Sequence, residues 1–293
     1  MYDIGCSSLC FARLPRAEAL HLISSMGFEW IDLGMLRPFT VGEGLFSALH
    51  LDALHAGDDH VKEVRDELDA AGLKLAAVNA GGGYLNVAWE REQGIAYIRR
   101  SIDVCRALGG YAVTIQSGKL LRGTDWGDNV AYVAPAVREL ASHAEQAGVE
   151  LHIEGPHLEM LTHDLRTTTD FFDLVAHPNL FITLDPSHVV VADEDATDVT
   201  RALGGLVRHV HIRDGAGSSP VVVPGRGEID FPGFIRALTD IGYARPLMIE
   251  LCQDESEDYE SSRERFFVDT RFSKKFMLTV LDVVNFQSSA IGA

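Results

Sequence analysis

The sequence predicts an α/β protein, a single (β/α)8 TIM barrel with an extended C-terminal helix, with residues 1–293 forming one domain. Three observations lead there. Short apolar runs alternate with longer helical patterns along the whole chain, the runs number eight, and no Pro/Gly/Ser-rich linker interrupts them. A length of 293 residues allows two ordinary domains or one barrel of about 250 residues with extensions, and the unbroken alternation selects the second.

The runs read as strands are Tyr2–Leu9, Glu29–Met35, Leu73–Asn79, Tyr111–Gln116, Val149–Glu154, Phe181–Asp185, Val207–Ile212 and Pro246–Leu251. Between them, Val61, Val64, Leu68 and Ala71 mark one helical stripe. Ile95, Ile98, Ile102 and Cys105 mark a second, and Val133, Val137, Leu140, Ala144 and Ala147 a third. Gly72, Gly109 and Gly148 stand where a glycine can end each of these helices before the next strand. A doubly wound sheet is the competing architecture, but its first strand-to-helix turn carries a glycine fingerprint, and the turn here reads SSLCFARLP. Gly81–Gly83 lack the surroundings of a phosphate cradle and read as a loop.

Two segments exceed the minimal repeat. Arg37–Asp59 reads as a long loop after the second strand. The tail from Asp254 starts with an acidic run, Asp254–Glu264, and ends in an apolar-rich helix with two stripes. Phe272, Phe276, Val280 and Val283 form one, and Met277, Leu281 and Val284 the other. One stripe suffices to dock on the barrel, so the second marks a candidate homo-oligomer contact, unless the helix is buried all round.

With 46% hydrophobic and 23% charged residues the chain can bury a substantial core, which excludes disorder as its main state. Its formal charge of −18 disfavours a nucleic acid or an anionic membrane as partner, because phosphate binding draws on clustered Lys and Arg. No stretch approaches the ~20 apolar residues of a membrane helix, and the N-terminus lacks a signal-peptide pattern. Cys6, Cys10, Cys105 and Cys252 form neither a disulfide framework nor paired CxxC motifs, so a reduced, cytoplasmic setting is expected.

In such a barrel chemistry sits where strands end. The fifth strand ends at Glu154, the sixth at Asp185 with His188 three residues on, and the eighth at Glu250. The seventh places His209 and His211 two apart, facing the same way. Each residue alone has a structural explanation, such as an Asp capping the next helix or a satisfied core His. Buried carboxylates at strand ends are costly unless paired or bound to metal. Three of them with one imidazole form an oxygen-rich set that favours Mn²⁺, Mg²⁺ or Co²⁺ over a structural zinc.

The order Glu-Gly-Pro-His, Asp-Pro-Ser-His, His-Val-His-Ile-Arg-Asp, Gly-Arg-Gly-Glu-Ile-Asp-Phe and Ile-Glu-Leu resembles the xylose-isomerase-like TIM-barrel superfamily over essentially the whole chain. Within it the likeness is to sugar isomerases and epimerases of the ketose 3-epimerase and inosose dehydratase type. The resemblance implies metal ligands Glu154, Asp185, His211 and Glu250, with Glu154 and Glu250 also catalytic. It implies that His188 and an Arg after the seventh strand, Arg213 or Arg226, bind substrate, and that His209 supports a ligand. Ketose epimerases carry a substrate-binding Glu six residues after the fifth-strand ligand. Here Met160 holds that place, with Glu159 and His157 nearby, and His157 is retained as a candidate substrate contact. The superfamily's zinc endonucleases need further His ligands, but the third and fourth strands end Val-Asn-Ala-Gly and Ile-Gln-Ser-Gly.

The resemblance thus implies a divalent-metal-dependent sugar epimerase or isomerase working through an enediolate. A lyase on the same scaffold shares the first step, and a non-catalytic barrel is the remaining reading. No phosphate site is evident, so a non-phosphorylated keto-sugar, polyol or related carbohydrate is expected. Trp89, Trp126 and Phe46 lie in loops after strands and either cover a sugar ring or pack.

Overall fold

The computed structural model describes residues 2–41, 44–253, 255 and 257–291. The strands are β1 (Ile4–Ser7), β2 (Trp30–Val41), β3 (Gly44–Leu49), β4 (Lys74–Gly81), β5 (Ala112–Ile115), β6 (Glu150–Glu154), β7 (Leu180–Leu184), β8 (Val207–Ile212), β9 (Asp214–Ala216), β10 (Ser219–Val222) and β11 (Leu247–Ile249). The helices are α1 (Arg16–Ser25), α2 (Asp58–Ala71), α3 (Arg91–Leu108), α4 (Trp126–Ala147), α5 (Leu165–Val175), α6 (Pro186–Val191), α7 (Ala196–Leu203), α8 (Phe231–Asp240) and α9 (Tyr259–Ile291). Eight strands, β1, β2, β4, β5, β6, β7, β8 and β11, pair in parallel, and β1 closes the ring by pairing with both β11 and β2. This is the expected barrel, and every strand read from the sequence overlaps its observed counterpart.

The helical stripes face the strands as their spacing requires. Val61, Val64 and Leu68 of α2, Ile98, Ile102 and Cys105 of α3, and Val133, Val137, Leu140 and Ala144 of α4 are buried. Gly72, Gly109 and Gly148 end those helices in the left-handed region, with φ of +66°, +83° and +73°. On α9 the stripe Met277, Leu281 and Val284 is buried, joined by Val280, while Phe272 and Val283 stay exposed. Phe276 packs edge-on against Phe231 of α8, ring centroids 5.5 Å apart.

The expected long loop at Arg37–Asp59 is corrected by the structure. β2 runs on out of the barrel wall to Val41, and β3 returns antiparallel to it, with Phe39 opposite Phe46 and Met35 opposite Leu49. A second hairpin, β9 and β10, follows β8. Its base is held by the Asp214 carboxylate, which accepts the N–H groups of Gly215, Gly225, Gly227 and Ile229. Gly42 and Glu43 of the first hairpin, and Asp254 and Ser256 of the acidic run, lie outside the described residues. Among the described residues, no helix is long and apolar enough to cross a membrane.

Candidate active site

Register brings the polar strand ends together. Glu154 on β6 lies beside Thr183, Thr183 beside His209, and His211 beside Met248, so Glu250 emerges one step past Ile249, itself opposite Ile212. Glu154, Asp185, His211 and Glu250 each present a ligand atom, and these atoms lie within 4.8 Å of one another. His211 Nδ1 is 3.2 Å from Glu154 Oε1 and 3.2 Å from Glu250 Oε2. Asp185 has two tasks: Oδ1 accepts the Ser187 N–H at 2.9 Å and caps α6. Its Oδ2 lies 2.6 Å from Arg213 but makes no well-formed hydrogen bond among the described residues. Asn79 Nδ2, near the end of β4, donates to Glu250 Oε1 at 2.9 Å, and its own Oδ1 is a buried acceptor without a partner among the described residues.

The local field favours a cation. Burial lowers the affinity of His211 for a proton, yet Glu250, with Asp32 and Glu154, holds its pKa well above the ordinary value. Burial likewise raises Glu154, but the His211 hydrogen bond and the charges of His157 and Arg213 bring it down to about 2. At Asp185 burial prevails over the Arg213 charge, and the pKa is raised. Three carboxylates, one imidazole and an Asp185 oxygen without a hydrogen bond among the described residues form a cluster that fits a divalent cation.

Behind His211 stands Asp32, which sequence reasoning missed. The β2–β4 ladder shifts register between Ile31 and Asp32, and Asp32 Oδ1 takes up the Ala77 N–H at 3.0 Å. Asp32 Oδ2 pairs with His209 Nε2 at 2.7 Å and lies 3.5 Å from His211 Nε2, and all three side chains are fully buried or nearly so. Tyr111 O–H and His209 Nδ1 are 2.9 Å apart. These partners assign His209 its proton on Nε2; His211 Nε2 makes no well-formed hydrogen bond among the described residues and meets Asp32 as a charge at 3.5 Å, while Nδ1 faces the carboxylates. His209 therefore acts on the site through Asp32. The signal available in the sequence was an acidic residue inside the apolar run Trp30–Leu33.

Arg213, the residue after β8, is buried and reaches Ser187 Oγ (3.0 Å), His188 Nε2 (2.7 Å) and Cys252 Sγ (2.6 Å). His188 stacks on His157 at 3.8 Å between centroids, and both line the cleft over Glu154 and Glu250. Burial, with His157 and Arg213 alongside, lowers the His188 pKa well below its usual value and keeps the ring neutral. Arg226 is not in the cleft lining: its side chain is 53% exposed, pairs with Asp269 of α9 at 3.2 Å, and lines a cavity that shares Phe46, Val221 and Cys252 with the cleft. Met160 is buried in the core and Glu159 is exposed, so neither supplies a carboxylate to the cleft, whereas His157 and Leu158 do line it. Phe46 faces the cleft with Phe39; Trp126 is tied to the Leu161 carbonyl at 2.8 Å, and Trp89 stands on the rim of a neighbouring cavity.

A profile of the xylose isomerase-like TIM barrel family matches residues 20–268. An L-ribulose 3-epimerase of Methylomonas sp. (strain DH-1) is 29% identical over 240 residues, 79% of this chain and 77% of its own. An inosose dehydratase of Clostridium perfringens (strain 13 / Type A) is 25% identical over 239 residues, 75% of this chain and 71% of its own. Among solved structures, one of L-ribulose 3-epimerase aligns over 100% of this chain and 99% of that one, with a TM-score of 0.79 at 22% identity, a likeness of fold.

Proposed function

The chain belongs to the xylose isomerase-like TIM barrel family and is an enzyme of its sugar isomerase and epimerase type, and from that premise we propose a divalent-metal-dependent epimerase or isomerase acting on a non-phosphorylated keto-sugar. The observation that carries this reading is the convergence of Glu154, Asp185, His211 and Glu250 at one point of the barrel mouth. When bound there, a divalent ion, Mn²⁺ by preference, supplies Lewis-acid polarisation of the sugar carbonyl and makes the neighbouring C–H more acidic.

The chain's own residues do the rest. Glu154 is ionised at neutral pH and serves as a proton acceptor, while Asn79 fixes one oxygen of Glu250 and leaves the other toward His211. With one carboxylate on each side of the reacting carbon, one takes the proton and the other returns it to the opposite face, which gives epimerisation. Return to the adjacent carbon gives isomerisation. Arg213 and neutral His188 bind hydroxyl oxygens, and Phe39 and Phe46 shield the cleft from water.

Elimination by an inosose-type dehydratase is the second reading. It is favoured by one observation: the loop that carries a substrate-binding Glu in ketose epimerases here turns Met160 into the core and offers His157 instead. The test is incubation of ketoses and inososes in D₂O with Mn²⁺-loaded protein. Deuterium entering at C1 or C3 of a ketose without loss of mass supports the first reading. Loss of water from an inosose supports the second, and no exchange or conversion in the whole panel sinks both.

A further inference from the structure

Beside the carboxylate cleft lies a second cavity that the proposed reaction does not use. The cleft over Glu154 and Glu250 offers 80 Å³, and the adjoining cavity 610 Å³, a volume within the ~300–1,000 Å³ of small-molecule sites. Leu36, Phe39 and Gln116 line both and form the sill between them.

The floor of the second cavity is the bare backbone of Gly81–Gly83, leaving β4. At Gly82 a Cβ would come within 2.4 Å of the Tyr97 ring, and Gly83 holds φ at +145°, so a side chain is excluded from that floor. On the rim stand Tyr84 and Trp89, and Trp89 is 86% exposed, so its ring is open to a ligand in the cavity.

Much of the charge around the cavity is answered from within the chain. Arg37 is held by Asp52 at 2.7 Å, Glu90 accepts the Tyr84 N–H at 2.7 Å, and Lys119 lies over the Tyr84 ring at 5.6 Å. Glu90 and Lys119 carry opposite charges on the lining, and the buried Arg37 Nε, without a hydrogen-bond partner among the described residues, is a donor that a hydroxyl oxygen can satisfy. Aromatic planes, exposed backbone and balanced polar side chains match a neutral, hydroxyl-rich ring, its C–H face on an aromatic ring and its hydroxyls on the polar groups.

Resting on the epimerase reading, we propose that the substrate is a ketose extended by a second, neutral sugar residue, the ketose lying over Glu154 and Glu250 and the second ring in the cavity against Trp89. The catalytic cleft then reads the carbonyl end, and the cavity selects glycosylated over free ketoses.

The probe is α-glucosyl-(1→6)-fructose, whose linkage leaves C1 to C4 of the ketose free, with fructose as comparator and the metal-loaded full chain as protein. The disaccharide is expected to give a saturable change in tryptophan emission at lower concentration than fructose, and Trp89→Phe abolishes that change. Trp89→Ala is expected to lower the preference for disaccharide over fructose, as a ratio of kcat/KM, by about tenfold, the upper end of one aromatic contact. Absence of a Trp89-dependent emission change overturns the proposal even if fructose exchanges its proton in D₂O, and so does a preference untouched by Trp89→Ala. A Trp89 response to the disaccharide without deuterium entering either sugar supports the cavity as a sugar site and removes the epimerase reading instead.

Discussion

Asp32→Asn is expected to weaken divalent-cation binding about 10- to 100-fold, the usual effect of losing a group that orients a ligating His, and to destabilise the fold by about 2 kcal/mol. The change is one oxygen to nitrogen in a side chain without solvent exposure. Both Asp32 oxygens accept hydrogen bonds, from the Ala77 N–H and from His209, and Asn has one acceptor oxygen, so one of those buried donors is orphaned. The magnitude follows from the carboxylate's own preference. Burial alone would raise its pKa, yet His209 and His211 hold it at about 2 against an ordinary 3.8, a difference worth about 2 kcal/mol. Because the folded value is depressed, this stabilisation is present above pH 3.8 and is lost as pH falls toward 2. Calorimetric titration with Mn²⁺ near pH 7.5 reads the affinity, and urea unfolding of both proteins, with and without metal, reads the stability. Wild-type affinity in a variant that has lost stability would refute the claim that Asp32 orients His211. Unchanged values for both would refute the buried pair itself.

Other outcomes follow from the same geometry. Glu154→Gln and Glu250→Gln are each expected to slow solvent-deuterium exchange into substrate by at least about 100-fold, and elemental analysis of each variant separates a lost base from a lost ion. Arg213→Lys, which breaks contacts to three side chains, should raise KM about tenfold. Arg226→Lys, outside the cleft lining and paired with Asp269, should leave KM within about twofold, and a larger effect would place Arg226 on the substrate after all. Burial holds the His50 pKa at about 4 against 6.5. Between these values the unfolded chain takes up a proton that the folded chain refuses. Its contribution is therefore complete above pH 6.5 and falls by about 3 kcal/mol by pH 4. Urea midpoints at pH 7.5 and 5 should converge by about one proton's share in His50→Gln.

The strand ends were legible in the sequence because each apolar run stops at a residue that an apolar barrel has no use for, as in LHIEGPH and FITLDPSH. Three features were not. Pro38 inside MLRPFTV and the glycines at Gly42 and Gly44 read as loop, while the hairpin rests on cross-strand pairs such as Phe39 with Phe46 that only tertiary packing forms. Asp32 looked like one more acidic residue because its partner His209 is 177 positions away. Arg213 and Arg226 sit after the same strand and sequence could not choose between them. The β9–β10 hairpin carries the chain away between the two, leaving the first beneath the cleft and the second against α9.

β2 carries two responsibilities at different depths: Asp32 within the wall, and Leu36 and Phe39 on the sill between the cavities. Side chains of a strand alternate, so removing one residue between these positions turns either Asp32 or Phe39 to the wrong side. Substrate range on this scaffold is therefore open to side-chain exchange along β2, or to changes in the loops after β5 and β8, but closed to trimming of the strand itself. A chimera that borrows the outer hairpin from a relative must take β2 and β3 as a unit, from Trp30 through Leu49, or it inherits a new pocket at the expense of the old carboxylate cluster.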